Sequence, residues 1–187
     1  MACLVWRGLA ITVYLMKRDP KLLARRVYGG PTAEKEPTQK IIQAFTALGF
    51  IAMLVVAALD HRWGWSVVPA DVVVAGDILV VVGFALIFFV YRENSFASAT
   101  IELAPEQKVI STGPYALVRH PMYFGGLLLF LGMPLALGSW YGLLALVVIV
   151  PALLWRLLDE EEFLVKGLEG YSEYRNKVRY RLVPFVW

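Results

Sequence analysis

Residues 122–158 read MYFGGLLLFLGMPLALGSWYGLLALVVIVPALLWRLL, 37 positions with no charge before Arg156. A bilayer core about 30 Å thick is crossed by about 20 apolar helical residues. The run is therefore too long for one crossing and long enough for two. Gly138-Ser139-Trp140 supplies a tight turn in its middle. This predicts a helical hairpin, residues 122–137 and 141–158, with both feet at one face of a membrane. Pro134 and Pro151 fall inside the two helices, where membrane surroundings tolerate a kink.

Working outward, Ile41–Leu59 carries no charge and Val72–Tyr91 carries only Asp77. Both predict crossing helices. Ala2–Met16 is shorter, contains Arg7, and is expected as a fifth, marginal helix; it lacks the basic start and small-residue cleavage site of a signal peptide. The chain of 187 residues is 59% hydrophobic and 18% charged, with a mean hydropathy of +0.62, against about 25% charge in soluble domains. A net charge of +3 is too small to imply a nucleic-acid partner. Cys3, the single cysteine, excludes an intramolecular disulfide, and His61 and His120 leave little for a metal site. The expected fold is all-α: one polytopic membrane domain over 1–187, a bundle of about five helices with a C-terminal hairpin and a polar tail.

Positive charge collects in cytoplasmic loops. Sixteen of the 18 basic residues fall in the alternate segments 17–40, 92–121 and 156–187; Arg62 stands opposite and Arg7 lies within a helix. The N-terminus is therefore expected outside, and those three segments in the cytoplasm. Trp63, Trp65, Trp140 and Tyr141 mark the other interface as an aromatic belt.

The hairpin's two feet carry the polar chemistry. Ahead of the first helix stands Gly113-Pro-Tyr-Ala-Leu-Val-Arg-His-Pro-Met-Tyr-Phe-Gly-Gly126; at the end of the second stands Trp155-Arg-Leu-Leu-Asp-Glu-Glu-Glu162. Arg156 and Glu160 are one helical turn apart and share a face. A guanidinium binds a carboxylate in a fork, and a carboxylate accepts bonds from a diol or neutralises a cation. S-adenosylmethionine, with a carboxylate, a ribose and a positive centre, suits such a pair. Each feature also has a plainer reading. Arg119 and His120 serve equally as interface markers, Pro121 as a helix-starting residue, Arg156 as a snorkelling side chain and Asp159–Glu162 as a solvated helix end. Asp77 is open between a functional and a structural polar group.

The combination is more specific than its parts. Gly113-Pro-Tyr115, Arg119-His-Pro-Met-Tyr123, the hairpin, Glu160-Glu161, Tyr171-Ser-Glu-Tyr174 and Pro184 together resemble the isoprenylcysteine carboxyl methyltransferase and phospholipid methyltransferase superfamily of membrane enzymes. The resemblance covers residues 92–187, which it implies are the catalytic half, with 1–91 an N-terminal part of helices and basic loop. It implies S-adenosyl-L-methionine as cofactor, held by Gln107, Lys108, Val109, Ile110, Tyr115, His120, Pro121, Met122, Tyr123 and Glu160. It also implies a substrate-side role for Arg156. Two departures stand out: the glutamate-to-tyrosine spacing is about one residue short, and Gly167-Leu168 replaces the family's Phe-Gly. Glu160 is preferred to Glu161 as the cofactor ligand.

Transfer of a methyl group from a sulfonium is an in-line displacement governed by positioning. A carboxylate acceptor is ionised at neutral pH and needs a cation to orient it, Arg156 or secondarily Arg119. An amine acceptor needs a base, for which only His120 offers itself. The leading expectation is carboxyl methylation of a prenylated cysteine-type substrate at the cytoplasmic face of a bacterial inner membrane. The alternatives are N-methylation of a phosphatidylethanolamine-type lipid, and a non-catalytic scaffold or transporter using Asp77 and Arg7.

Overall fold

The computed structural model describes residues 2–29, 32–34 and 36–187, with side chains from Gly8 onward. The Arg7 side chain and Lys35 lie outside the described residues. Among these residues are seven α-helices and two short 3-10 turns, without a strand: α1 (Ala2–Arg18), α2 (Pro20–Val27), α3 (Pro37–Trp63), α4 (Ala70–Glu93), α5 (Pro121–Ala136), α6 (Leu146–Gly167) and α7 (Tyr171–Lys177). The turns, Gly113–Ala116 and Tyr141–Ala145, precede α5 and α6.

Local chemistry sets the boundaries. Asp19 caps α2, its carboxylate accepting the Leu22 N–H at 2.9 Å, and Pro20 opens that helix. Pro37 and Pro121 open α3 and α5 in the same way. Gly64, at φ 64°, ends α3 in the left-handed conformation that glycine adopts without strain. Three segments are long and apolar enough to cross a membrane: Pro37–Trp63, Ala70–Glu93 and Tyr141–Gly167. α5 is a shorter apolar helix, and α1, at 17 residues, is not among the three. Leu48, Ile51, Val55, Val74, Ile78 and Val147 are exposed, so the three long segments turn apolar surface outward as lipid-facing helices do.

The hairpin is present, with its turn at Gly138 (φ 70°), but its legs do not pack mainly on each other. α5 packs chiefly on α4, and α6 on α3. Glycine explains the first pairing. A Cβ at Gly76 would meet the Gly132 carbonyl at 2.9 Å, and one at Gly132 would meet the Gly76 carbonyl at 2.8 Å. Seven residues away, Gly83 and Gly125 make the same reciprocal approach, at 2.9 and 3.2 Å. Two glycine pairs thus bring the α4 and α5 backbones together, as small residues do between membrane helices. On the other side Gly49 of α3 receives Ile149 of α6, whose Cγ1 would lie 2.8 Å from a Cβ there. The hairpin is splayed, and space opens between its legs.

The far end is tied by Asp60, buried at the end of α3. It accepts from the Ser66 N–H (2.7 Å), the Ser66 hydroxyl (2.7 Å) and the Ser139 hydroxyl (2.5 Å). The α3–α4 connection is thereby fastened to the hairpin turn, with Trp65 in aromatic contact with both Trp63 and Tyr141 beside it. Asp77, by contrast, is exposed on α4. At the near end, α1 and α2 dock on α4 through Leu15, Leu22 and Val90. The basic segments meet there too: Arg26 donates to the Ser98 carbonyl at 2.7 Å.

The glycine seam carries a direct test. Gly132→Leu forces backbone apart and is expected to destabilise the bundle by about 1–3 kcal/mol or more. Gly126, whose Cβ would meet nothing within 4 Å, is expected to accept alanine without loss. Thermal unfolding of the two variants in detergent checks the contrast.

Candidate functional site

A cavity of about 670 Å³ lies between the splayed legs, lined by α3, α5, α6, α7 and the 94–110 segment, with Arg26 of α2 and Tyr115 at its edge. It has two chemical halves. Phe50, Leu129, Phe130, Met133 and Leu153 line its apolar part within the bundle, with Phe50 and Phe130 in edge contact at 6.1 Å. Gln107, Lys108, Tyr115, His120, Glu160 and Tyr171 line its polar part. All twelve residues singled out from the sequence border this one space, including Val109, Ile110, Arg119, Pro121, Met122, Tyr123 and Arg156.

Their individual geometries differ sharply. Glu161 is buried and clasped by cations. Arg119 meets it through Nε (3.3 Å to Oε2) and Nη2 (3.2 Å to Oε2), and Arg181 Nε approaches at 3.3 Å. Arg119 Nη1 donates to the carbonyls of Val178 (3.0 Å), Arg179 (3.2 Å) and Arg175 (3.4 Å). The backbone N–H groups of Arg119 and His120 donate to the carbonyls of Tyr180 and Arg181, both at 2.9 Å. The Arg-His-Pro segment, the foot of α6 and the C-terminal tail are thus one knot. Arg119 was expected as a secondary orienting cation, but each nitrogen of its guanidinium is bonded within the protein. Its role here is to hold the knot.

One residue earlier, Glu160 is rotated by about 100° on the helix and borders the cavity. It accepts the Tyr123 hydroxyl at 2.5 Å. Tyr115 stands across the polar half, its hydroxyl accepting from Asn94 Nδ2 (2.8 Å) and its carbonyl from the Tyr174 hydroxyl (2.7 Å). Gly113, at φ 56°, starts this turn, pressed against the Glu93 side chain, where a Cβ would come within 2.6 Å. Burial holds the phenols of Tyr115, Tyr171 and Tyr174 well above the usual range. These tyrosines are therefore neutral donors at physiological pH and not bases.

Two buried polar atoms, His120 Nε2 and Tyr171 Oη, belong to residues that border the cavity and have no hydrogen-bond partner among the described residues. The imidazole nitrogen is 3.4 Å from Glu161 Oε2 without hydrogen-bond geometry. Such groups are costly to bury unsatisfied.

Arg156 borders the cavity but is already engaged on its outer side. Nη2 donates to Glu34 (2.6 Å) and to the Ala99 carbonyl (2.8 Å), and Nη1 to Gln39 (2.7 Å). Gln39 in turn donates to Asp159 and Gln43 to Glu34. Sequence reasoning did not identify Glu34, Gln39, Gln43 or Asn94. Gln39, Gln43 and Thr46 are spaced 4 and 3 apart at the start of an apolar helix, a polar stripe that marks one face as non-lipid. Nothing of that kind distinguishes Glu34.

The family model for phospholipid methyltransferases matches residues 72–169, just over half of the chain. No curated protein matches it.

The two adjacent glutamates separate by experiment. Glu161→Gln removes the charge that Arg119 and Arg181 surround and is expected to cost about 3–5 kcal/mol, as for a broken buried pair. Glu160→Gln is expected to leave the unfolding temperature in detergent close to that of the wild type. Equal shifts would contradict the division.

Proposed function

The chain belongs to the phospholipid methyltransferase family, and from that premise we propose that it transfers a methyl group from S-adenosyl-L-methionine to a lipophilic acceptor held in the apolar half of the cavity. One observation carries the reading: a single space joins a polar wall, with Lys108, Tyr115 and Glu160, to an apolar wall inside the bundle. Here a polar cofactor and a lipid tail can meet with both solvated. The end bearing the basic segments is read as cytoplasmic, where the cofactor is available.

The residues present fit the cofactor. Its ribose diol matches the Glu160 carboxylate, its carboxylate matches Lys108, and its remaining polar atoms match the backbone of Gln107–Ile110, all on the polar wall. When bound, it supplies a methyl group on a sulfonium, which passes in line to the acceptor's lone pair and leaves a neutral thioether. The protein contributes position. Glu161 fixes the α6 foot so that Glu160 faces inward, Tyr123 orients the Glu160 carboxylate, and the apolar wall excludes water from the reacting atoms.

Two acceptor classes fit the apolar half. The motif pattern implies a prenylated cysteine-type carboxylate, oriented by Arg156. An amine of phosphatidylethanolamine type is favoured by the Glu34 ion pair, which takes up the charge a carboxylate would need. The amine sheds its proton before transfer, and His120 borders the space where a base is needed.

Calorimetry with detergent-solubilised protein tests the cofactor: S-adenosylmethionine is expected to bind, about 10–100-fold more weakly in Glu160→Ala, and with unchanged affinity in Arg156→Ala. Failure of folded wild type to bind refutes the reading. Gly126→Phe, which fills the apolar half, is expected to block transfer while sparing cofactor affinity. The acceptor class is read from the product, since a methyl ester yields to mild base and an N-methyl group does not.

A further inference from the structure

Arg156 is a cation on the cavity wall one helical turn from Glu160, and its ion-pair partner comes from outside the family match. Glu34, its ion-pair partner at 2.6 Å, is 3% exposed and comes from the segment ahead of α3, outside the family match. The same carboxylate accepts from Gln43 Nε2 at 2.5 Å and from the Ile101 N–H at 3.4 Å. It is therefore fixed by three separate elements and cannot swing away without breaking all three. Gln39 and the Ala99 carbonyl complete the ring of acceptors around the guanidinium. The arrangement positions a cation at the cavity wall and then cancels its charge from behind.

Taking the cavity as the acceptor site proposed above, we infer that Glu34 is a specificity-determining residue: as the built-in counter-ion of Arg156, it makes the apolar half select against acceptors with a net negative charge beside the methyl-accepting atom. The physical basis is simple. An anion entering beside Arg156 gains little from a guanidinium already neutralised, yet loses its own hydration on leaving water. An uncharged head, including an amine that has shed its proton, incurs no such loss against a closed ion pair, and an ammonium meets no net positive charge there. Without the Glu34 charge, Arg156 is an uncompensated cation facing an apolar space, and an anionic head becomes its natural partner. Glu160, the other acid beside Arg156, is assigned to the cofactor, so the comparison belongs in the cofactor-bound state.

Octanoate and octylamine, two probes with one tail and opposite heads, make the test. Their affinities are measured by saturation-transfer NMR on detergent-solubilised protein saturated with S-adenosylhomocysteine. The wild type is expected to prefer octylamine, with Gly126→Phe abolishing that binding. Glu34→Gln is expected to raise octanoate affinity about tenfold, a modest share of what close charge pairs contribute at interfaces. The gain should vanish in the Glu34→Gln/Arg156→Gln double variant, and Arg156→Gln alone should move the preference further towards octylamine. Unchanged S-adenosylhomocysteine affinity certifies each variant as folded. An octanoate affinity unaltered in Glu34→Gln, or a gain that survives loss of Arg156, overturns the role of Glu34 while leaving the acceptor cavity standing. Absence of any amphiphile binding to the cofactor-bound wild type overturns the acceptor site and this inference with it.

Discussion

The carboxylate of Glu161 is the point to which the working end of this molecule is fastened. Buried anions persist only when surrounded by donors and cations, and Glu161 collects Arg119 and Arg181, from two remote parts of the chain. Meeting that demand brings the Arg-His-Pro segment, the foot of α6 and the tail into one place. It also sets the rotation of α6. With residue 161 turned into the knot, residue 160 faces the cavity, and Arg156 lies one turn above it on the same wall. The polar half of the site is thus a by-product of satisfying a single buried charge.

The apolar half has a different origin. Packing between membrane helices rests on close approach of surfaces, because lipid is as apolar as leucine. The Gly76/Gly132 and Gly83/Gly125 contacts give α5 its best partner in α4, while Gly49 and Ile149 hold α6 to α3. A hairpin whose legs have stronger attachments elsewhere opens between them. The Asp60 clasp closes the space at the far end, and the Glu161 knot shapes it at the near end. The function proposed here uses such a space, reached by a water-soluble reactant from one side and shared with a lipid tail.

Much of this was legible from residue order. Hydropathy and the Gly138 turn gave the all-α bundle and the hairpin, and the two polar feet pointed to one site because both leave the membrane on the same side. What could not be read was rotation and partner choice. The splay depends on which helix each leg prefers, a matter of three-dimensional fit, although the seven-residue glycine spacing on both α4 and α5 was a visible clue. Asp60 escaped attention at a helix end, where an acid looks ordinary; only burial with two serines distinguishes it. Glu34 sat among charged loop residues, with no periodicity to single it out. Arg119 looked like a surface cation because its carbonyl partners lie about 60 residues further along the chain.

Gly125 and Gly126 are chemically identical neighbours, yet the first is pressed against Gly83 and Ile87 while the second faces open space. Under the proposed function, the consequence is a gauge for tail length. Enlarging residue 125 would push the helices apart, so that position has no room to vary. Enlarging residue 126 by one carbon at a time would shorten the apolar channel from inside, without disturbing the seam behind it.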